Sequence, residues 1–182
     1  SISSPTTDVV VGSASVAPGT PVSISDSTSL QGGLLTQIHY QWRNDDGSET
    51  DATSATGGSE DTPLNNFSQS APIRLRVEVS NEGATTSTDK RFQLEFAPKI
   101  TTCADVSSWT AVDESADDWD EYNSSFLTHG EDTTNIGVVS GGLTDENTTF
   151  KTPNAGVRDT DSLTASTTLL NDEFVEIEYS IQ

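Results

Sequence analysis

Polar and apolar residues alternate with a period of two in three stretches of this chain. Residues 36–43 place Ile38, Tyr40 and Trp42 on one face and His39, Gln41 and Arg43 on the other. Residues 73–79 place Ile73, Leu75, Val77 and Val79 inward and Arg74, Arg76 and Glu78 outward. Residues 173–182 place Val175, Ile177, Tyr179 and Ile181 on one face. Alternation of this kind predicts half-buried strands. A fourth stretch, residues 91–97, repeats the scheme with Phe92, Leu94 and Phe96 inward, and is predicted to pair antiparallel with residues 73–79. Weaker strands are expected at 9–16, 21–25, 109–112, 136–139 and 163–170. The Asp46-Gly47 pair marks a tight turn. No apolar stripe with a 3.6-residue period persists over three turns. The pattern predicts an all-β chain: an antiparallel β-sandwich, Ig-like or jelly-roll-like, of about eight to ten strands. Residues 1–11 read as an extended N-terminal segment and 12–182 as one domain.

Composition supports strands over disorder. Hydrophobic residues make up 31% of the 182, but Ser and Thr together number 51. Thr suits half-exposed strands and Ser suits turns. The formal net charge is −21 and uneven: residues 1–100 hold 12 acids and 6 bases, residues 101–182 hold 17 acids and 2 bases. Such a surface lacks the basic footprint of a nucleic-acid binder and repels anionic lipid. No apolar run is long enough to span a membrane. Arg74 and Arg76 are expected on a solvent face of cross-strand charge pairs; a sharper reading makes them a basic strip docking on the acidic half of another copy.

Motifs for chemistry are sparse. The two histidines are His39 and His129, and no nucleophile elbow, zinc spacing or phosphate loop is present. The expectation is a non-catalytic protein. Calcium takes oxygen ligands, and residues 113–121 hold six carboxylates in nine positions. Asp113, Asp117, Asp118 and Asp120 are the candidate calcium ligands, with the turn at residues 44–49 a weaker second site. Trp109, Trp119 and Tyr122 are candidates for a sugar-stacking platform or for the core. Asn66, Asn123 and Asn147 begin glycosylation triplets. The lone Cys103 allows no internal disulfide, and the lack of Met is expected for a processed or excised chain. Together these features predict an extracellular or cell-surface location.

The run His39-Tyr-Gln-Trp-Arg-Asn-Asp-Asp-Gly-Ser-Glu49 resembles a hairpin in a group of uncharacterised secreted bacterial surface proteins built from β-sandwich modules. The likeness continues through Glu60-Asp61-Thr62, through residues 73–83, and into residues 92–103 and Trp109. It brings no activity. Modules of this group run on past the position of Gln182 into a strand carrying a cysteine, which the resemblance pairs with the equivalent of Cys103. On that basis this chain is one strand short.

The strand at residues 173–182 is therefore expected to leave an open edge, with Val175, Ile177, Tyr179 and Ile181 awaiting a partner. Val9, Val10 and Val11 of a second copy are the expected donor. The function expected is a secreted structural subunit that polymerises by strand addition into a filament, sheath or surface layer. The alternative is an adhesin or carbohydrate-binding module whose partners are surface glycans.

Overall fold

The computed structural model describes residues 33–68, 70–98, 105–113 and 118–182. The fold is all-β, with no α-helix among these residues. Its strands are β1 (Leu35–Asn44), β2 (Ile73–Asn81), β3 (Glu95–Phe96), β4 (Thr110–Ala111), β5 (Thr149–Phe150), β6 (Val157–Arg158) and β7 (Glu173–Ile181). The three long strands are those with the cleanest alternation. They form the centre of one sheet in the order β1-β2-β7, antiparallel throughout. β5 and β6 add to the far side of β7 in parallel, so the sheet is mixed rather than purely antiparallel. β3 and β4 pair in a second, two-stranded sheet.

The apolar face of the large sheet carries the core. Ile73, Val77, Val79, Val175, Ile177, Tyr179 and Ile181 are buried there with Val112 and Leu169. Phe92, Leu94 and Phe96 pack against this cluster. Residues 91–97 thus pack against the core instead of pairing with residues 73–79, whose neighbours are β1 and β7, which corrects the expected strand neighbours. Residues 136–139 form no strand; a 3-10 turn occupies Val138–Ser140. Residues 163–170 contribute only a bridge between Thr167 and Lys90. The expected strands at 9–16 and 21–25 lie outside the described residues.

A bulge between Gln37 and Tyr40 changes the register of β1 against β2. Before it, Gln37 stands opposite Val79; after it, Gln41 stands opposite Arg76. The extra residue switches which parity faces the core. Leu35 and Gln37 therefore share the apolar side with Tyr40 and Trp42, while Gln41 and Arg43 turn to the opposite side.

β7 has no open edge. Along one side it pairs with β2 from Phe174 to Ile181. Along the other, its backbone carbonyls accept hydrogen bonds in succession: Phe174 from Lys151 N–H, Glu176 from the Thr133 hydroxyl, Ser180 from Tyr122 N–H. Glu178 N–H donates to Gly156, and Gln182 exchanges two bonds with Asp120. This overturns the expected acceptor edge at Val175, Ile177, Tyr179 and Ile181. All nine residues of β7 are buried. The edge is filled from within by residues 120–122, 133, 151 and 156–158, which periodicity did not mark as strands.

Candidate functional site

The face of the sheet expected to meet solvent is buried instead. Gln41, Arg43, Arg74, Arg76, Glu78, Glu176 and Glu178 all have 0% exposure. The register explains how they meet: Arg74 stands opposite Ser180, Arg76 opposite Glu178, and Glu78 opposite Glu176. Residues 45–53 and 131–147 roof this face. Arg74 donates to Gly47 O and pairs with Asp45. Arg43 donates to Glu49 O, Ala52 O and Glu178. Arg76 binds Glu49, Glu176, Glu178 and Thr134 O. Burial opposes charge on Arg76, yet the carboxylates of Glu178, Glu176 and Glu49 outweigh it and raise its pKa. For Arg43 burial dominates and lowers the pKa, though a guanidinium stays charged at neutral pH.

The carboxylates at one end of this layer behave differently. Burial pushes Glu78 up to about 7, helped by the neighbouring charge of Glu176. Burial likewise pushes Glu176 up to about 7 in spite of its bond to Arg76. Each has one oxygen without a partner, Glu78 Oε2 and Glu176 Oε1. The amide of Gln41 and the Nε of Arg43 are also unpartnered. Both face Gly141, where an added Cβ would lie 3.4 Å from Gln41 Oε1 and 3.3 Å from Arg43 Nε.

Beside this layer, His39 bridges two loops. Its Nδ1 lies 2.6 Å from Asp61 Oδ2 and its Nε2 2.7 Å from Glu146 Oε1. Desolvation lowers its pKa, but the bonds to Asp61 and Glu146 prevail and raise it to about 9. His39, Glu60 and Asp61 are close enough to hold a metal ion. The chemistry argues otherwise. An imidazolium donates both N–H groups to carboxylates and offers a metal no lone pair, and both oxygens of Glu60 are held by Thr144. The cation of that cluster is His39 itself.

The apolar side holds a groove. It has a volume of about 320 Å³ and is lined by Leu35, Val77, Val79, Phe92, Leu94, Ile177 and Tyr179. Gln37, Arg91 and Gln93 are exposed residues of its lining.

The expected calcium loop is only partly drawn together. Asp113 and Asp120 pair through the backbone, Glu121 N–H donating to Asp113 O at 3.1 Å. Asp118 is exposed, and Asp117 lies outside the described residues, as do Cys103, Val9, Val10 and Val11. At the second candidate, Asp45 is taken by Arg74 and Ser124 and Asp46 by Thr53. Trp119 is not a sugar platform: it stacks between Trp42, at 6.1 Å, and Phe67, at 5.7 Å. Trp109 is 48% exposed.

Comparison with known protein families, curated proteins and solved structures finds no match. No helix among the described residues is long and apolar enough to cross a membrane.

Proposed function

We propose that this chain is a structural module of a secreted or cell-surface assembly, and that it joins its neighbour through the groove on its apolar face. The observation that carries the reading is that groove: a largely apolar lining on β1, β2 and β7 and residues 92–94, with exposed polar residues beside it. An extended segment with small β-branched side chains suits such a lining, because alternate side chains fill pockets. With the β7 edge closed, the groove replaces it as the acceptor.

Val9, Val10 and Val11 of a second copy remain the proposed occupant. Asp8 precedes them, and residues 1–25 hold no Lys or Arg. Arg91 supplies the complementary charge at the groove. A head-to-tail contact of this kind propagates unless its rotation closes a ring. The buried polar face fits a non-catalytic role: Arg43, Arg74 and Arg76 are tied to carboxylates and to the roofing loops.

Light scattering and negative-stain electron microscopy test the proposal. The full chain is expected to form regular polymers; a chain lacking residues 1–11, or carrying Arg91→Glu, is expected to remain monomeric. Normal assembly without residues 1–11, or a strictly monodisperse full chain, overturns it. The alternative of a glycan-binding adhesin draws support only from the exposed Trp109.

A further inference from the structure

The end strand of the large sheet, β1, has an outer edge that the described residues only half cover. β2 pairs with it on one side. Beyond the bulge the other side is taken. Tyr40 N–H donates to Asp61 Oδ1 and Tyr40 O accepts from Asp61 N–H. Trp42 O accepts from Ala55 N–H, and Asn44 N–H donates to Thr53 O. Before the bulge the parity is reversed. Glu82 N–H donates to Leu34 O on the β2 side. Leu34 and Thr36 therefore turn their backbone toward β2, and Leu35 and Gln37 turn theirs outward. Among the described residues nothing bonds the outward N–H and C=O groups of Leu35 and Gln37.

Free edges are normally blunted by Lys, Pro or a charge. Residues 34–38, Leu-Leu-Thr-Gln-Ile, carry none of these. Leu34, 46% exposed, lies on one face of the edge. On the other face Leu35 and Gln37 open into the groove, which runs on to Val77, Val79, Phe92 and Leu94. A strand laid along this edge meets apolar side chains on both of its faces. The segment at residues 21–25, with Val22 and Ile24 alternating with polar residues, satisfies one face. The run Val9-Val10-Val11 satisfies both. Residues 1–42 hold no Lys or Arg, and Asp8 adjoins the run, which suits the exposed Arg91 of the groove.

We propose that Val9, Val10 and Val11 of a second copy add to β1 as a further strand of the sheet, bonded through the backbone to Leu35 and Gln37. The inference rests on the groove as the site of assembly and states how the segment is held there. Neighbouring side chains on paired strands point to the same face. With Val10 beside Thr36, Val9 and Val11 lie beside Leu35 and Gln37 and point into the groove, while Val10 turns to the side of Leu34. The open backbone groups of β1 supply pairing that does not depend on side chains, and the groove supplies the selection of small β-branched residues. Asp61 stops the added strand at Tyr40, because it already occupies the outward N–H and C=O there.

The test is amide hydrogen exchange at single-residue resolution, comparing polymers of the full chain with the monomeric Arg91→Glu chain. The amides of Leu35 and Gln37 are expected to exchange at least about tenfold more slowly in the polymer. The Thr36 amide, already turned to β2, is expected to exchange alike in both. Gln37→Pro removes one outward N–H, a change that an edge strand tolerates. That variant is expected to melt close to the Arg91→Glu monomer and to form no polymers. Polymers in which Leu35 and Gln37 exchange as fast as in the monomer overturn the strand pairing and leave the groove reading standing. Protection of both amides already in the monomer also overturns it, since the edge would then be closed within one chain. Normal polymers of Gln37→Pro overturn it as well. A full chain that never polymerises removes the groove reading itself, and the pairing with it.

Discussion

The guanidinium of Arg76 is fully buried among Glu49, Glu176 and Glu178. Its worth lies less in net attraction than in what its removal leaves behind. Ion pairs inside a protein gain little over apolar packing, but a buried charge stripped of its partner is expensive. Arg76→Ala leaves Glu49 and Glu176 without an arginine beneath the roofing loops, takes one of three from Glu178, and frees Thr134 O as well. The expected loss is about 3–5 kcal/mol of unfolding free energy, measured by urea denaturation. A loss below about 1 kcal/mol, the size typical of an exposed pair, would show that water reaches this face. The pairs also fix register. Slipping β2 by one residue against β7 would drive Arg74, Arg76 and Glu78 into the apolar core.

Strands and loops meet at His39, where the bulge in β1 brings the ring to Asp61 and Glu146. Its pKa is raised to about 9 from 6.5. The clamp therefore contributes stability in full below about 6.5 and loses it as pH rises through 9. Glu78 and Glu176, raised to about 7 from 4.5, favour the fold while protonated, below 4.5, and lose that contribution as pH rises through 7. The melting temperature is expected to fall in two steps, one between pH 4.5 and 7 and one between 6.5 and 9. His39→Gln removes the upper step alone, and a flat profile from pH 7 to 9 in the parent would dismiss the clamp. The three long strands were readable from period two because their side chains alternate without interruption. The polar faces were misread because alternation tells two sides apart but not which one water sees. The covers come from residues 45–53 and 131–147, which have no periodicity. One signal was present: Arg74 and Arg76 on one strand match Glu176 and Glu178 on another at the same spacing, a pairing of opposite charges that solvent-facing strands have little need of. The closure of β7 was hidden for a related reason, since its covering segments pair with it for only two residues at a time.

Over the whole molecule, the charge of −21 sets how the fold and the proposed assembly respond to salt. Most of it lies on residues 101–182, which hold 17 acids against 2 bases. Self-repulsion of this kind weakens a compact state and keeps copies apart. The screening length shrinks from about 30 Å at 0.01 M to about 10 Å at 0.1 M salt. Surface carboxylates stop repelling across the molecule over that interval, while the buried arginine–carboxylate pairs are hardly screened. Adding sodium chloride from about 0.01 to 0.1 M is therefore expected to raise the melting temperature. In the same interval it should lower the concentration at which polymers appear. The two readouts separate their causes. The Arg91→Glu variant should gain stability with salt as the parent does, because its surface remains acidic, yet stay monomeric, because its groove no longer matches Asp8. A melting temperature that falls with salt would mean that exposed attractive pairs, not net repulsion, govern this surface.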